Sequence, residues 1–291
     1  MLLEFRNIEK VFKVKKGILD SKSVLVRAVD GVNLNVNEGE NLGLVGESGS
    51  GKTTLARMML KLYKPDQGEM LFQGKNIFKM SGQVLKQYRK NCQMIFQDPY
   101  SSLDPRWNVK RIMLEGFTLD PTKFQTAEVK EERIKTLLKA VGLKDDILER
   151  FPHEFSGGER QRIAIARALV LNPKLLILDE AVSSLDMIVQ AQILDLLKDL
   201  QSKFHLTYVF ITHNLRIVKK ISHRIAVMYQ GKIVELASTR EIFENPLHPY
   251  TKQLLSAALT YQLPQRIEEV VLPQCAKLTE VLSGHFVLTA E

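Results

Sequence analysis

The chain has 291 residues, 45% of them apolar and 25% charged, with a formal net charge of +8. That composition excludes a disordered or fibrous protein and suits one large globular domain or two modest ones. No apolar run approaches the ~20 residues of a membrane span, and "MLLEFRNIEK" lacks the apolar core of a secretory signal, so a cytoplasmic protein is expected.

In chain order, "LLEFRNIEKVF" alternates loosely and reads as a strand. "NLNVNEGENLGLV" alternates at Leu34 and Val36, turns at Glu38-Gly39 and resumes as an apolar strand from Leu42 to Val45. "KTTLARMMLKL" reads as a helix that stops near Pro65 and Gly68, and "GEMLFQGKNI" as a short hairpin. From about Tyr100 to Pro152 the helical period dominates. Ile134, Leu137, Leu138 and Val141 share one face, and Gly142 fits the stop. From Lys174 strands and helices alternate again. "LLILDE" and "TYVFITH" are continuous apolar runs, as buried parallel strands require. Between them "MIVQAQILDLLKDLQ" lines up Val189, Ile193, Leu196, Leu197 and Leu200. "RIAVMYQGKIVEL" is a hairpin about Gln230-Gly231. The tail after Pro246 carries no clear pattern. The whole predicts an α/β fold: a mostly parallel sheet, an antiparallel β subdomain and an all-helical insert.

The two cysteines, Cys92 and Cys275, form no metal-type or redox-type pair, and reduced thiols are expected. The positive charge is spread along the chain, with one cluster near "FKVKKG" and "SKSVLVR". It reads as a solvated basic face and selects no partner by itself.

"GESGSGKT", Gly46 to Thr53, fits G-x-x-x-x-G-K-[ST] between a predicted strand and a predicted helix. Gly49 and Gly51 let bare backbone approach a ligand closely. Successive N–H groups and the helix N-terminus then favour phosphate oxygens. Lys52 adds a charge for the β- and γ-phosphates, and Thr53 a hydroxyl for Mg²⁺. Asp179 and Glu180 end a predicted buried strand, where α/β sheets place ligands. Asp179 can hold Mg²⁺, and Glu180 can act as general base on the attacking water. His213 ends the next strand in the same way; it could contact the γ-phosphate, or simply begin a loop. Gln97, before Pro99, could touch Mg²⁺ or water, or be a turn residue. In "FSGGERQRIAIARAL", Ser156 and Glu159 make a capping box. Two glycines in that first turn are costly for a cap alone, so Gly157 and Gly158 suggest a second anion site. Two separate half-sites suggest a dimer in which each loop is completed by the partner's second motif.

With these residues in view, the sequence resembles the nucleotide-binding subunits of ATP-binding cassette transporters, from Leu2 to about Leu255. "GESGSGKT" is similar to the family's Walker A loop (Gly46, Ser48, Gly49, Gly51, Lys52, Thr53, Thr54) and "LLILDE" to its Walker B strand. "FSGGERQR" is similar to the signature motif (Ser156, Gly157, Gly158), with Glu159 where glutamine is usual. Gln97 matches the Q-loop, "SSLD" the D-loop ending at Asp186, and His213 the switch histidine. Phe12 falls where an aromatic residue stacks on adenine. The resemblance implies a P-loop NTPase (RecA-like) core at 1–97 and 160–250, a helical subdomain at 98–159 and a C-terminal extension at 251–291. It implies ATP and Mg²⁺ as cofactors and a head-to-tail pair with a second ATPase subunit, a sibling or a second copy. Two transmembrane permeases and, indirectly, a solute-binding protein would complete an importer. The subunit would sit at the cytoplasmic face of the membrane, with no nucleic acid. "IFQDPYSSLDPR" and "NPLHPYTKQLL" look like the peptide and nickel importer group. Ala181 in place of proline, and Cys275 alone in the tail, lean toward its nickel or metal-chelate side and against an iron–sulfur site. A soluble ATPase acting on DNA shares the signature motif, but needs a long coiled coil that the 98–159 segment is too short to supply.

Overall fold

The computed structural model describes residues 1–15, 23–98, 102–121, 124–259, 270–273 and 276–290. Pro99, Tyr100 and Cys275 fall outside them. The chain begins with strands β1 (Leu3–Lys15), β2 (Ser23–Val36) and β3 (Asn41–Val45), helix α1 (Lys52–Met59), and strands β4 (Gln67–Phe72) and β5 (Lys75–Asn76). It continues with α2 (Gly82–Asn91), β6 (Cys92–Ile95), α3 (Val109–Gly116), α4 (Ala127–Ala140) and α5 (Gly157–Ala168). Then come β7 (Leu175–Asp179), α6 (Met187–Phe204), β8 (Thr207–Thr212), α7 (Leu215–Ile221), β9 (Arg224–Tyr229) and β10 (Lys232–Ser238). Last are α8 (Thr239–Glu244), α9 (Pro249–Leu259), β11 (Ala276–Leu282) and β12 (His285–Ala290). These elements fall into two compact units, residues 1–80 with 210–291, and residues 81–209.

In the first unit β2, β1, β4 and β5 form an antiparallel sheet. The other strands are laid around β3, whose five residues are all buried. It pairs in parallel with β9, Leu42 opposite Arg224 through Val45 opposite Val227. A parallel strand covered on both faces needs such an unbroken apolar run. A side chain at Gly43 would stand 2.1 Å from Val218 of α7, so the helix lies directly on the strand. From β9 the chain turns antiparallel: β9 pairs with β10, β10 with β12 and β12 with β11. Gln73-Gly74 and Gln230-Gly231 turn the two short hairpins with both φ angles positive, the twist that two-residue hairpin loops demand. Val45, Val218, Val227, Val234, Tyr250 and Leu254 belong to the core of this half.

In the second unit β6 and β7 pair in parallel. Among the described residues, the segment 102–154 is helical wherever it is regular. Ile134, Leu137, Leu138 and Val141 are buried, and Gly142 ends that run at φ 73. On α6 the expected stripe holds at Ile193, Leu197 and Leu200, and Leu194 is buried beside it.

Two departures from sequence expectation stand out. Helix α1 ends at Met59, well before Pro65. Lys61 takes φ 58, and the N–H groups of Lys61 and Leu62 close back on Met58 and Arg57 at 2.8 Å, a Schellman stop made without glycine. The unread tail holds helix α9 and the hairpin β11–β12, whose pattern is weak because β11 lies at an edge and is largely exposed.

Candidate functional site: a phosphate loop and a strained carboxylate turn

In the first unit, residues 46–51 form the loop between β3 and α1. Gly46, Gly49 and Gly51 have φ of 150, 83 and 109, conformations that L side chains rarely adopt. A Cβ at Gly46 would meet the Met228 carbonyl at 2.1 Å, and one at Gly51 the Ala28 carbonyl at the same distance. Gly51 caps α1 with no side-chain bond, so the helix opens on bare backbone donors. The loop is tied from beneath, where the Gly231 N–H donates to the Ser50 carbonyl at 3.0 Å. The Lys52 ammonium, 6% exposed, donates to the carbonyls of Gly46 (2.8 Å) and Glu47 (2.7 Å) and to Ser50 Oγ (3.2 Å). Ser48, Gly49 and Thr53 are exposed along the loop, and Thr54 is half-buried. A lysine ammonium held in a glycine-rich loop beside an uncapped helix N-terminus suits a polyphosphate.

Phe12, on β1, stands half-buried. Tyr63 meets its ring edge-on at 5.4 Å and the Lys10 ammonium lies 5.5 Å from its centroid. His213 follows the end of β8 and is exposed. Asn214 beside it caps α7 by accepting the Arg216 N–H at 3.0 Å.

In the second unit, Asp179 ends β7 and Glu180 begins the turn, both half-buried. Glu180 takes φ 49, a left-handed conformation that costs a non-glycine residue about 1–2 kcal/mol. Its carbonyl accepts both the Ser183 N–H (3.1 Å) and the Ser183 hydroxyl (2.6 Å). The Glu180 carboxylate accepts Gln97 Nε2 at 3.2 Å and Ser183 Oγ at 3.3 Å. Ser184 Oγ reaches the Gln97 carbonyl at 3.5 Å. Gln97 and Glu180, picked out separately in the sequence, are thus brought together. The two serines that hold them there were visible only as a motif match. Asp186 caps α6, accepting the N–H groups of Ile188 and Val189.

Ser156 caps α5 as the capping box predicts. Glu159 Oε2 accepts the Ser156 N–H at 2.9 Å and its hydroxyl at 2.8 Å, and Ser156 Oγ accepts the Glu159 N–H at 3.3 Å. The Ser156 N–H and hydroxyl hold the Glu159 carboxyl below its usual pKa. A Cβ on Gly158 would stand 2.6 Å from Val189 Cγ1 of α6, so close packing alone requires that glycine. Gly157 has ordinary room at 3.4 Å. Elsewhere, burial pushes the Cys92 thiol up to about 12, and it takes part in no disulfide. Among the described residues no helix is long and apolar enough to cross a membrane.

Comparison with known proteins places this geometry. Residues 29–183 match the family of ABC transporters, and residues 234–280 match the C-terminal region of oligopeptide/dipeptide transporters. An oligopeptide transport ATP-binding protein, AppF of Bacillus subtilis, is 49% identical over 257 residues, which is 88% of this chain and 78% of that protein. OppF of Streptococcus mutans, another oligopeptide transport ATP-binding protein, is 46% identical over 100% of this chain and 95% of its own. Among solved structures, the ATP-binding cassette MJ0796, a dimer in a post-hydrolysis state with ADP and Pi, superposes with a TM-score of 0.70. It is 27% identical, over 82% of this chain and 99% of that one. This chain belongs to the ABC transporter family, as one of its ATP-binding, ATP-hydrolysing subunits.

Proposed function

We propose that this chain is the energy-coupling ATPase of an importer for peptides. The names of the relatives above favour a peptide cargo over nickel or a metal chelate. Gly46 to Thr54 would cradle the triphosphate, with Lys52 on the β- and γ-phosphates and Phe12 against the adenine. The observation that carries the catalytic assignment is Glu180. Its turn is strained, it follows a buried strand, and its carboxylate is aimed by Gln97 and Ser183. Strain retained by several hydrogen bonds is characteristic of working residues. Glu180 would take the proton of the attacking water, Gln97 would hold that water, and His213 would contact the γ-phosphate.

Among the described residues no cluster of three or more His, Cys, Asp or Glu could cage a metal. Mg²⁺ uses few protein ligands and arrives with phosphate and water. The Thr53 hydroxyl, the Asp179 carboxylate and the Gln97 amide would be the hard donors for it. Bound there, Mg²⁺ would neutralise charge developing on the phosphates.

Ser156, Gly157 and Gly158 would meet the ATP of a second ATPase subunit, with Asp186 at the same seam. The dimeric cassette among the structural relatives supports such pairing. Closure of the pair on ATP, and opening after hydrolysis, would drive two membrane permeases from the cytoplasmic face. The helical segment 98–159 would dock them, between core segments 1–97 and 160–250, with 251–291 as an extension. Its α4 has 14 residues, far short of the coiled coil that a DNA-directed ATPase requires. The test is Glu180→Gln in the transporter. Mg²⁺-dependent hydrolysis should fall about 10²–10⁴-fold, as for loss of a general base, with ATP still bound. Hydrolysis at the wild-type rate would remove Glu180 from the mechanism.

A further inference from the structure

The C-terminal segment reaches the phosphate loop through the hydroxyl of Tyr250. Tyr250, on the first turn of α9, is fully buried, and its phenolic oxygen accepts the Glu47 N–H at 3.0 Å. That N–H and the Gly46 carbonyl belong to one peptide unit. In a trans peptide the two groups point in opposite directions, so holding one holds the other. The Gly46 carbonyl is the acceptor of the Lys52 ammonium at 2.8 Å. Gly46 itself, at φ 150, has no side chain to prevent the plane from turning. The hydroxyl of Tyr250 supplies that restraint.

Tyr250 is in turn fixed on several sides. Its ring stacks on Tyr229, centroids 4.1 Å apart. Its own N–H donates to His248 Nδ1 at 3.2 Å. The preceding turn is tied to Glu235 of β10, whose carboxylate accepts the N–H groups of Leu247 (2.8 Å) and His248 (3.0 Å). His285 of β12 bonds the same carboxylate at 2.7 Å, and the two side chains are 1% and 0% exposed. The turn before α9 and strand β12 therefore converge on one carboxylate of β10, and Tyr250, held there, bonds the loop.

We propose that Tyr250 is a positioning residue of the phosphate loop: it sets the plane of the Gly46–Glu47 peptide, and so the acceptor that orients Lys52, while the Glu235–His285 pair keeps it in place. This rests on the reading of residues 46–53 as the nucleotide cradle. Burial pushes the phenol up to about 12, so it stays a neutral hydroxyl at any physiological pH. The C-terminal hairpin thereby influences nucleotide affinity without touching the nucleotide.

The experiment is Tyr250→Phe in the full chain, titrated with a fluorescent ATP analogue and assayed for hydrolysis in the native complex. Kd and KM should rise about three- to tenfold, the factor carried by one neutral hydrogen bond. The value of kcat should stay within about twofold, as when binding common to ground and transition state is lost. Tyr208→Phe is the control for a merely structural hydroxyl, since it removes a buried donor to the Leu197 carbonyl at 2.9 Å. It should lower Tm and leave Kd alone. If Tyr250→Phe lowers Tm in the same way with Kd and KM at wild-type values, the inference is overturned. Should Tyr250→Phe not fold, His285→Gln takes its place: a raised Kd supports the inference and an unchanged one overturns it. Lys52→Ala separates the two levels. Wild-type nucleotide binding by Lys52→Ala sinks the cradle reading and this inference with it. Lost binding there, beside an unaffected Tyr250→Phe, sinks this inference alone.

Discussion

Replacing Glu235 by alanine asks how much of the C-terminal half hangs on one buried carboxylate. The side chain takes three donors, the Leu247 N–H at 2.8 Å, the His248 N–H at 3.0 Å and the His285 imidazole at 2.7 Å. All three lose their acceptor in Glu235→Ala, and an orphaned buried donor costs about 1–3 kcal/mol. Rearrangement around the site offsets part of that sum, which leaves about 3–5 kcal/mol. That is a large share of the ~5–15 kcal/mol that holds a domain. Glu235→Gln should be milder. Its amide oxygen can accept two of the three donors while its NH₂ group faces the third, for a cost of about 1–2 kcal/mol. Urea titrations of the three proteins, followed by circular dichroism, read the difference from midpoint and slope. A loss below about 1 kcal/mol for Glu235→Ala, or a glutamine variant less stable than the alanine one, would refute the reasoning.

Two further outcomes follow from the helix tip and the tail. Glu159 is ionised at neutral pH like any ordinary carboxyl, the Ser156 N–H and hydroxyl depress its pKa further, and its charge opposes an anion arriving at the α5 N-terminus. Glu159→Gln keeps an acceptor for Ser156 and removes the charge. ATP-dependent pairing of subunits, measured by light scattering, should strengthen about two- to fivefold, the range of a helix-end charge term; unchanged or weaker pairing would count against an anion at that tip. Burial lowers the pKa of His248 below its ordinary 6.5, and its Nδ1 must stay unprotonated to accept the Tyr250 N–H. The unfolded chain therefore binds the proton first on acidification. The contribution of this residue is complete above about pH 6.5 and is lost as pH falls from there through the folded-state pKa. His248→Asn should reduce the difference between urea midpoints at about pH 7.5 and about pH 5.5, and an identical difference would exclude this histidine as its source.

The amino-acid sequence by itself determined the features whose cause lies within a few residues. The glycines of the loop at 46–51, the box of Ser156 and Glu159, the two-residue hairpin turns and the apolar run before Asp179 follow from local sterics, capping and periodicity. Each is where the pattern placed it. Tertiary structure decided the rest, because it concerns partners that only the chain path brings together. Gln97 meets Glu180 across 83 positions, Tyr250 meets Glu47 across 203, and His285 meets Glu235 across 50. The left-handed turn at Glu180 is not one a glutamate prefers, and it is held by Ser183 nearby and Gln97 from afar. Gly158 belongs to both accounts: its freedom at a helix tip is written in the sequence, but the Val189 methyl that forbids any side chain there comes from the packing of α6 against α5. Short-range pattern records what a residue can do alone, and side-chain direction across long separations is recorded only in the folded core.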